Sequence, residues 1–395
     1  MKTLIIISFF LISLSSFSQR NYIQGIVFST DSIPLSFVHV YSQATKRGTI
    51  TDKDGRFFLF LTSYRKTDSI VFSSIGYKKK IVALPEMKGR QKIYLDSLFY
   101  SIGGAVIIAK PLLAIEIVEK AFDKVPENFN LESRKSTAYF SEKIEQLLNY
   151  DELVSRKIEA ALVIDEPSYK KSHSPLFLKE DACLLAIRKG EDTLFHAKLN
   201  LSDFNGLTET LTKNIARYPN GFPFNSQKKM QDRWDFVKES IFIIDSASFI
   251  YKIKFTPKDT NTSNNYGYFY ISSDNYGILQ YEVYSDTGVY NQYTYIRDQA
   301  QYENFSPIRL IVKYQPTPNG LQLFSIDFFE KYEVLDNQLH EMYFFKYDYK
   351  LRIIGDFLES EFDQPCIELK NSKDIHRQAD NSDPSFWETF NIPKE

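Results

Sequence analysis

The sequence predicts a mainly β protein of the α+β class. A seven-stranded β-sandwich is expected near the N-terminus, before a larger, curved antiparallel sheet domain with a few helices. Three observations predict this. Short alternating segments separated by turn residues fill residues 20–97. Apolar residues recur at helical spacing from Ala114 to Val125. From Thr137 onward, period-two segments rich in tyrosine and phenylalanine dominate. The predicted divisions are a signal peptide at 1–18, the sandwich at 19–97, a linker strand and helix at 98–132, and an aromatic-rich β domain at 133–395.

The first residues predict a secretory signal. Lys2 precedes an apolar run from Leu4 to Leu14, and small residues follow as far as Ser18. The run is shorter than the roughly 20 residues that a membrane-spanning helix needs, although a retained anchor is the alternative. Cleavage after Ser18 would leave Gln19 first, and no cysteine lies nearby to carry a lipid. We therefore expect export to the periplasm or to an outer-membrane-associated site.

Six segments of the N-terminal region alternate as antiparallel strands. They are Tyr22–Phe28, Phe37–Tyr41, Phe57–Leu61, Ile70–Phe72, Lys80–Leu84 and Ile93–Leu95. Gly48-Thr49 is predicted as a turn between two of them, and His39 is expected to point away from the core. Asp52–Gly55 is predicted as a bend in which aspartates accept backbone N–H groups and Gly55 takes a positive φ. The alternative for the bend is a calcium loop. Calcium takes about six to eight oxygens, and the two carboxylates that precede Gly55 are too few to supply them.

Several of these residues carry a resemblance to a known family. Gly25, the run from Gly48 to Phe57 and the Ser73-x-Ile75-Gly76-Tyr77 segment resemble the carboxypeptidase regulatory-like domain, a transthyretin-like β-sandwich. That family is widespread in envelope proteins of Bacteroidetes, so the resemblance implies an envelope protein of that type. Gly103–Ala109 is similar to the strand by which such modules end. The resemblance covers only the accessory sandwich of carboxypeptidases, so it implies no peptidase activity.

In the larger domain, the sequence predicts one helix followed along the chain by a succession of strands. Pro126 is expected to end the helix, and a second short helix is predicted over Leu207–Ile215. In Phe249–Phe255, the odd-numbered residues are expected to share an apolar face, with Lys252 and Lys254 on the other. An apolar sheet face needs a cover, and the first helix is the candidate. The predicted strands are Ala138–Lys143, Arg156–Ile164, Phe249–Phe255, Tyr266–Ile271, Leu279–Tyr284, Gln292–Arg297, Ile308–Tyr314, Leu323–Phe329 and Met342–Tyr349.

No residue pattern in the chain indicates catalysis. The five histidines are scattered, and His340 begins a zinc-protease-like pattern that lacks its second histidine. The sequence contains no GxSxG elbow, P-loop or GxGxxG motif. Asp165 and Glu166 are read as chance neighbours rather than as glycosidase acids. Cys183 and Cys366 either form one disulfide or remain separate thiols. We therefore expect no enzyme, with no catalytic, cofactor-binding or metal-ligating residues and no cofactor.

The remaining signal is aromatic. Tyrosine, phenylalanine and tryptophan make up 15% of the chain, concentrated in residues 249–295 and 324–349. Such side chains either form an ordinary core or supply a binding face. The formal net charge of −2 argues against a nucleic-acid partner, and no transmembrane helix is predicted. The hypothesis is an exported, non-catalytic envelope protein that acts as a binding or scaffold module. The alternative is a carrier or chaperone-like domain, similar in layout to periplasmic lipoprotein carriers, which holds a lipid or peptide. The partner is an envelope protein, peptide, glycan or lipid of unknown identity.

Overall fold

The computed structural model of the protein describes residues 22–45, 47–61, 65, 67–87, 89–97, 112–129, 132–148, 151–169, 181–190, 206–219, 223–224, 230–244, 248–259, 265–285, 291–297, 300–304, 308–336, 341–357, 366–369, 375, 378–380 and 383–390. Two compact units divide the chain at Ser97, with the residues from Ser385 onward joining the first unit. The predicted signal peptide and the predicted strand at Gly103–Ala109 lie outside the described residues.

The described residues of unit 1 form seven strands, the number predicted for the sandwich, although the sequence analysis located six of them and read the start of the third as a turn. The strands are β1 Tyr22–Ser29, β2 His39–Ser42, β3 Gly48–Ile50, β4 Arg56–Phe60, β5 Ser69–Ser73, β6 Lys80–Ala83 and β7 Arg90–Leu95, with a 3₁₀ turn at Leu84–Glu86. One sheet has the order β4-β1-β7 and the other β3-β2-β5-β6. Inward-facing residues of both sheets, including Val27, Val40 and Phe72 at 0% exposure, form one core. Alternating side chains therefore divide between this core and the outer surfaces.

Two details of unit 1 differ from the predictions. The β1–β7 pair is parallel, with Gln24 opposite Arg90, so the unit is not wholly antiparallel. Gly48 was predicted in a turn but begins β3, where it pairs with Tyr41. A Cβ at this position would lie 2.8 Å from the carbonyl oxygen of Val40. The glycine is therefore required by a close backbone approach, which a local sequence pattern does not distinguish from a turn.

The bend at Asp52–Gly55 is confirmed. Asp52 Oδ1 accepts the backbone N–H groups of Asp54 at 2.9 Å and Arg56 at 2.7 Å, and Gly55 has a φ of 73°. Asp54 instead pairs with the Arg56 guanidinium at 3.4 Å. Both carboxylates thus have partners that belong to the turn itself.

Unit 2 is built on one large antiparallel sheet, and the described residues after Ser97 also form five helices, the last of which falls almost wholly in the C-terminal part of unit 1. The strands are β8 Arg134–Leu148, β9 Asp151–Glu166, β10 Asp181–Lys189, β11 Trp234–Ile243, β12 Phe249–Pro257, β13 Asn265–Ser272, β14 Ile278–Ser285, β15 Asn291–Arg297, β16 Ala300–Asn304, β17 Arg309–Thr317, β18 Gly320–Asp336, β19 Glu341–Asp356 and β20 Ile367–Leu369. The helices are α1 Ala114–Asp123, α2 Val125–Asn128, α3 Gly206–Leu211, α4 Met230–Arg233 and α5 Pro384–Thr389. The strand order is β11-β12-β13-β14-β17-β18-β19-β8-β9-β10-β20, with β16 pairing β15 and β18.

All nine strands predicted for this domain exist, but the sequence analysis missed β10, β11, β16 and β20. The sequence of β11 mixes Asp235, Lys238 and Glu239 with apolar residues, because it is an edge strand with both faces partly exposed. Pro126 was predicted to end the first helix. In the structure α1 ends at Asp123, and Pro126 lies in the first turn of α2, where its missing N–H costs nothing.

Helix α1 covers one face of the sheet, as predicted. Ile117, Val118 and Ala121 are at most 1% exposed and belong to the same core as Ile253. The Phe122 ring meets the Phe269 ring edge-on at 5.8 Å. We call this side of the sheet the helix-covered face and the opposite side the outer face.

A disulfide joins the two cysteines. Cys183 in β10 and Cys366, just before β20, have Cα atoms 5.5 Å apart and are bonded through their sulfur atoms. The two strands are also paired in the sheet, with Cys183 opposite Glu368. The alternative of two separate thiols is therefore wrong. Within the described residues, no helix has the length and apolar character required to cross a membrane.

Candidate binding surface

A cluster of tyrosines and lysines lies on the outer face of unit 2. It consists of Lys252 and Lys254 from β12, Tyr266 and Tyr268 from β13, and Tyr284 from β14, and we call it the outer tyrosine surface. Strand parity places these side chains opposite the buried residues of the same strands. All five are half-buried, so each presents part of its surface to solvent.

The rings of this surface contact one another. Tyr266 lies directly across from Tyr284, and their centroids are 5.7 Å apart with an interplanar angle of 29°. Tyr268 meets Tyr284 at 6.3 Å and Tyr266 at 6.4 Å, nearly perpendicular in the second case. These distances lie in the attractive range for aromatic pairs. The three rings therefore form one continuous aromatic patch.

The lysines lie over the rings. Lys252 Nζ is 4.1 Å from the centroid of Tyr268, and Lys254 Nζ is 5.5 Å from that of Tyr266. Lys252 also pairs with the Glu239 carboxylate of the neighbouring edge strand at 2.5 Å. Cation–π contacts of this kind restrict the lysine stems and hold the ammonium groups at the surface.

A buried carboxylate lies beside the patch. Glu282 is 8% exposed and accepts hydrogen bonds from Tyr284 Oη at 3.3 Å, Tyr270 Oη at 3.5 Å and the Gln280 amide. Burial raises the pKa of Glu282, and the donors oppose that shift only in part. Burial, followed by the Glu282 charge, raises the pKa of Tyr284, so its hydroxyl stays protonated. The patch therefore keeps its hydrogen-bond donors over the ordinary pH range.

The outer face continues as a charged row beyond the patch. Asp327 and Arg352 are each at most 4% exposed and form an ion pair. Lys313 lies between this pair and Glu282 along the row, and burial lowers the pKa of its ammonium to about 8. A buried pair of this kind fixes side-chain positions more than it adds stability.

On the opposite side, the segment 206–219 joins α1 in covering the sheet. Leu207, Leu211 and Ile215 are at most 2% exposed within the main core. Arg217, fully buried, donates to the Pro167 carbonyl at 2.8 Å and stacks over Tyr169 at 3.9 Å. A polar network thus anchors this cover from within.

Asp165 and Glu166 take part in structural ion pairs. Glu166, 2% exposed, lies 3.9 Å from both Arg134 and Arg217, whereas Asp165 lies 4.0 Å from the surface Lys135. Adjacent strand residues point to opposite faces of a sheet. The two carboxyl groups therefore do not converge on one site.

The structure also locates part of the histidine set. His39 faces away from the unit 1 core, as predicted, but it is only 9% exposed and stacks on Tyr41 at 4.6 Å. The other four histidines, including His340, lie outside the described residues. Among the side chains that the structure describes, no three His, Cys, Asp or Glu residues are grouped as a metal site.

The sequence analysis found the aromatic signal but not its division between the two faces. In the predicted cluster 324–349, Phe328, Phe345, Tyr347 and Tyr349 belong to the buried core at 2% exposure or less. Phe329 and Phe344 of that cluster point to the outer face and are half-buried, as are the outward-facing rings of β13 and β14. The signal that would have revealed this division is the alternation of side chains along a strand. Because Phe269 points inward, its neighbour Tyr268 must point outward.

Residues 23–97 match the model of the CarboxypepD_reg-like domain. The resemblance predicted from Gly25, the Gly48–Phe57 run and the Gly76-Tyr77 segment is thereby confirmed for this unit. The match does not extend into unit 2. A comparison with curated proteins found no match to the sequence.

Solved structures align weakly with more than half of the chain. A LolA superfamily protein from Nitrosomonas europaea is 12% identical, with 64% of this chain and 99% of that chain covered and a TM-score of 0.20. The MucA/MucB complex structure from Pseudomonas aeruginosa is 7% identical over 60% of this chain and 93% of that chain, with a TM-score of 0.19. A lipovitellin structure is 9% identical over 61% and 27%, with a TM-score of 0.25. Scores this low support no conclusion about function.

Proposed function

We propose that this protein is an exported, non-catalytic envelope protein that acts as a binding module, with the outer tyrosine surface as its binding face. The proposed organisation is a signal peptide at 1–18, a regulatory-like sandwich at 19–97, a linker at 98–132 and a binding domain at 133–395. The observation that carries the proposal is the contact of three half-buried tyrosine rings with two lysines on one face.

Such a surface suits recognition for physical reasons. Tyrosine offers a large apolar area with a hydroxyl at its edge, and it loses little conformational freedom on binding. Here the rings already contact one another and the lysine stems, so less side-chain entropy remains to be lost. The Tyr268 hydroxyl, whose pKa burial raises, and the Lys254 ammonium add hydrogen-bond donors to this surface, so they favour a partner rich in acceptors.

The helix-covered face favours a scaffold over a carrier. A carrier would hold its apolar ligand against that face of the sheet. Instead, Ile253, Phe269 and Val283 are at 0% exposure, in one core with α1 and the 206–219 segment. The chain's own residues therefore occupy the space next to these side chains.

Photo-cross-linking in the native host tests the proposal. A photoreactive amino acid at Lys254 is expected to capture a defined envelope partner, and Tyr268→Ser/Tyr284→Ser is expected to abolish that adduct. The matched control is Ile81→Ser/Ile367→Ser, which removes two exposed apolar side chains that lie outside the outer tyrosine surface. An adduct that survives the first double variant would contradict the assignment of the binding face.

Native mass spectrometry of protein purified without detergent separates the scaffold from the carrier. The scaffold predicts the mass of the bare chain. A bound lipid that persists in the Tyr268→Ser/Tyr284→Ser variant would favour the carrier instead.

A further inference from the structure

A second surface, on unit 1, has a different character. The outward positions of β1 carry Tyr22, Gln24, Ile26 and Phe28, and those of β7 carry Arg90, Lys92 and Tyr94. We call this set of residues the ring-and-cation face. Tyr22 is 47% exposed and Tyr94 40%, and both cations are exposed. The outer face of a sandwich sheet is ordinarily polar. Here it alternates aromatic, aliphatic and cationic side chains.

The register sets the pattern across the strands. Ile26 lies directly between Arg56 of β4 and Lys92 of β7. Phe28 lies opposite Tyr94, and their rings stack at 5.5 Å with an angle of 24°. At the other end of β1, Tyr22 stacks on Phe58 at 4.9 Å. The outward row of β1 therefore has an aromatic ring at each end and Gln24 and Ile26 between them, with cations on the neighbouring strands.

The charges of this face have one sign. The outward positions of β1, β4 and β7 carry Arg56, Arg90 and Lys92 and include no aspartate or glutamate. Arg56 is paired with Asp54 of the adjoining turn. Two exposed cations, Arg90 and Lys92, remain beside the exposed ring of Tyr94. The complementary partner is consequently anionic.

We propose that the ring-and-cation face binds the anionic surface of a lipid bilayer. Tyrosines prefer the headgroup level of a bilayer, where the ring is in an apolar layer and the hydroxyl in water. Arginine and lysine are attracted to anionic headgroups, and their stems extend along apolar surface.

The breadth of the face favours a bilayer over an extended acidic peptide. From Tyr22 to Phe28 the row runs six residues, about 20 Å at the rise of a β-strand. The outward-facing rings stand on all three strands, with Phe58 on β4, Tyr22 and Phe28 on β1, and Tyr94 on β7. One extended peptide chain is about as wide as one strand spacing, roughly 4.8 Å, so it would not reach all three strands.

Co-sedimentation of the full chain with vesicles tests this proposal. The protein is expected to sediment with vesicles of phosphatidylcholine and phosphatidylglycerol in equal parts. It is expected to remain in solution with phosphatidylcholine alone, and to be released as salt is raised. Arg90→Glu/Lys92→Glu is expected to weaken binding at least tenfold, because each cation contributes separately to attraction by anionic lipid. Tyr22→Ser/Tyr94→Ser is expected to weaken binding with little change in salt dependence.

The matched control is Lys135→Glu/Lys258→Glu, which makes the same change in net charge at side chains of unit 2 that are 60% and 46% exposed. It is expected to bind vesicles like the wild type, and circular dichroism confirms that each variant is folded. Equal loss in the control would overturn the proposal, because net charge alone would then explain binding. No sedimentation with anionic vesicles would also overturn it. Binding to soluble poly-glutamate without vesicle binding would replace the bilayer by an acidic peptide. None of these outcomes bears on the outer tyrosine surface, which lies on the other unit.

Discussion

At the scale of single residues, Gly55 and Gly89, two of the positive-φ glycines of unit 1, differ in their surroundings. Gly55 has a φ of 73°, and a Cβ there would lie 2.6 Å from the carbonyl oxygen of Val27. Gly89 has a φ of 67°, and nothing lies within 4 Å of its Cβ position. Substitutions at these two glycines can therefore separate the cost of backbone strain from the cost of steric conflict.

Gly55→Val is expected to lower the free energy of unfolding by about 1–3 kcal/mol, because backbone strain and contact add. Gly89→Val tests the strain alone and is expected to cost less. Chemical denaturation monitored by circular dichroism measures both. Equal costs would mean that the contact with Val27 is relieved without penalty.

Glu282 gives the molecule a predictable dependence on pH. Its pKa is raised in the folded state, so ionisation disfavours folding. The contribution of the protonated carboxyl is fully present below the usual glutamate pKa and is lost as pH rises through the raised value. The side chain of the Glu282→Gln variant cannot ionise, so this variant does not lose that contribution to stability as the pH rises.

The melting temperature of Glu282→Gln relative to wild type is therefore expected to rise between pH 4 and pH 8. Calorimetry at several pH values measures the difference. A control is Glu239→Gln, because Glu239 is an exposed glutamate of the edge strand beside that surface, where it pairs with Lys252. A difference for Glu282→Gln that falls with rising pH would mean that the hydrogen bonds to its carboxylate outweigh burial.

At the scale of elements, α1 holds the helix-covered face closed. Its buried residues recur at i, i+3, i+4 and i+7, from Ala114 through Ile117 and Val118 to Ala121, whereas Glu119 is exposed. The Cys183–Cys366 bond joins β10 to β20 at the far end of the same sheet. The apolar packing of α1 and the Cys183–Cys366 disulfide thus stabilise different parts of the sheet.

Ile117→Ala is expected to cost about 2–5 kcal/mol, since it leaves a cavity at a site that is fully buried. Glu119→Ala, in the same helix, should change stability by no more than about 0.5 kcal/mol. Urea titration followed by fluorescence measures both. Similar small effects for the two would show that α1 does not contribute to the core of unit 2.

At the scale of the whole molecule, the core of unit 1, as far as the structure describes the chain, consists of residues between Ile23 and Leu95. Unit 2 has a core of its own, which begins at Ala114. Separate cores are the basis for independent folding of domains.

A fragment of residues 19–97 is therefore expected to unfold in one cooperative transition, as measured by thermal circular dichroism. The matched comparison is the same fragment with a peptide of residues 383–395 added, because the last residues belong to unit 1. A fragment that folds only with the peptide would show that the C-terminal segment completes the unit.

Much of this protein follows from local sequence. Turn chemistry at Asp52–Gly55, alternation in β12 and β13, and helical spacing in α1 are properties of neighbouring residues, and each predicted its element correctly. Alternation also predicted that Lys252 and Lys254 lie opposite the core. These features are set by steric and hydrogen-bonding preferences within a few residues of one another.

The tertiary structure alone decided the rest. It paired β7 with β1 in parallel, joined Cys183 to Cys366, and made Gly48 a point of close approach. It also buried the rings of Phe345, Tyr347 and Tyr349 in β19 and left those of Tyr268 and Tyr284 on a surface. Each of these outcomes depends on which distant segment packs against a given strand. That choice is governed by the fit of whole faces, since a tyrosine has the same local preferences whether its side of the sheet is covered or not.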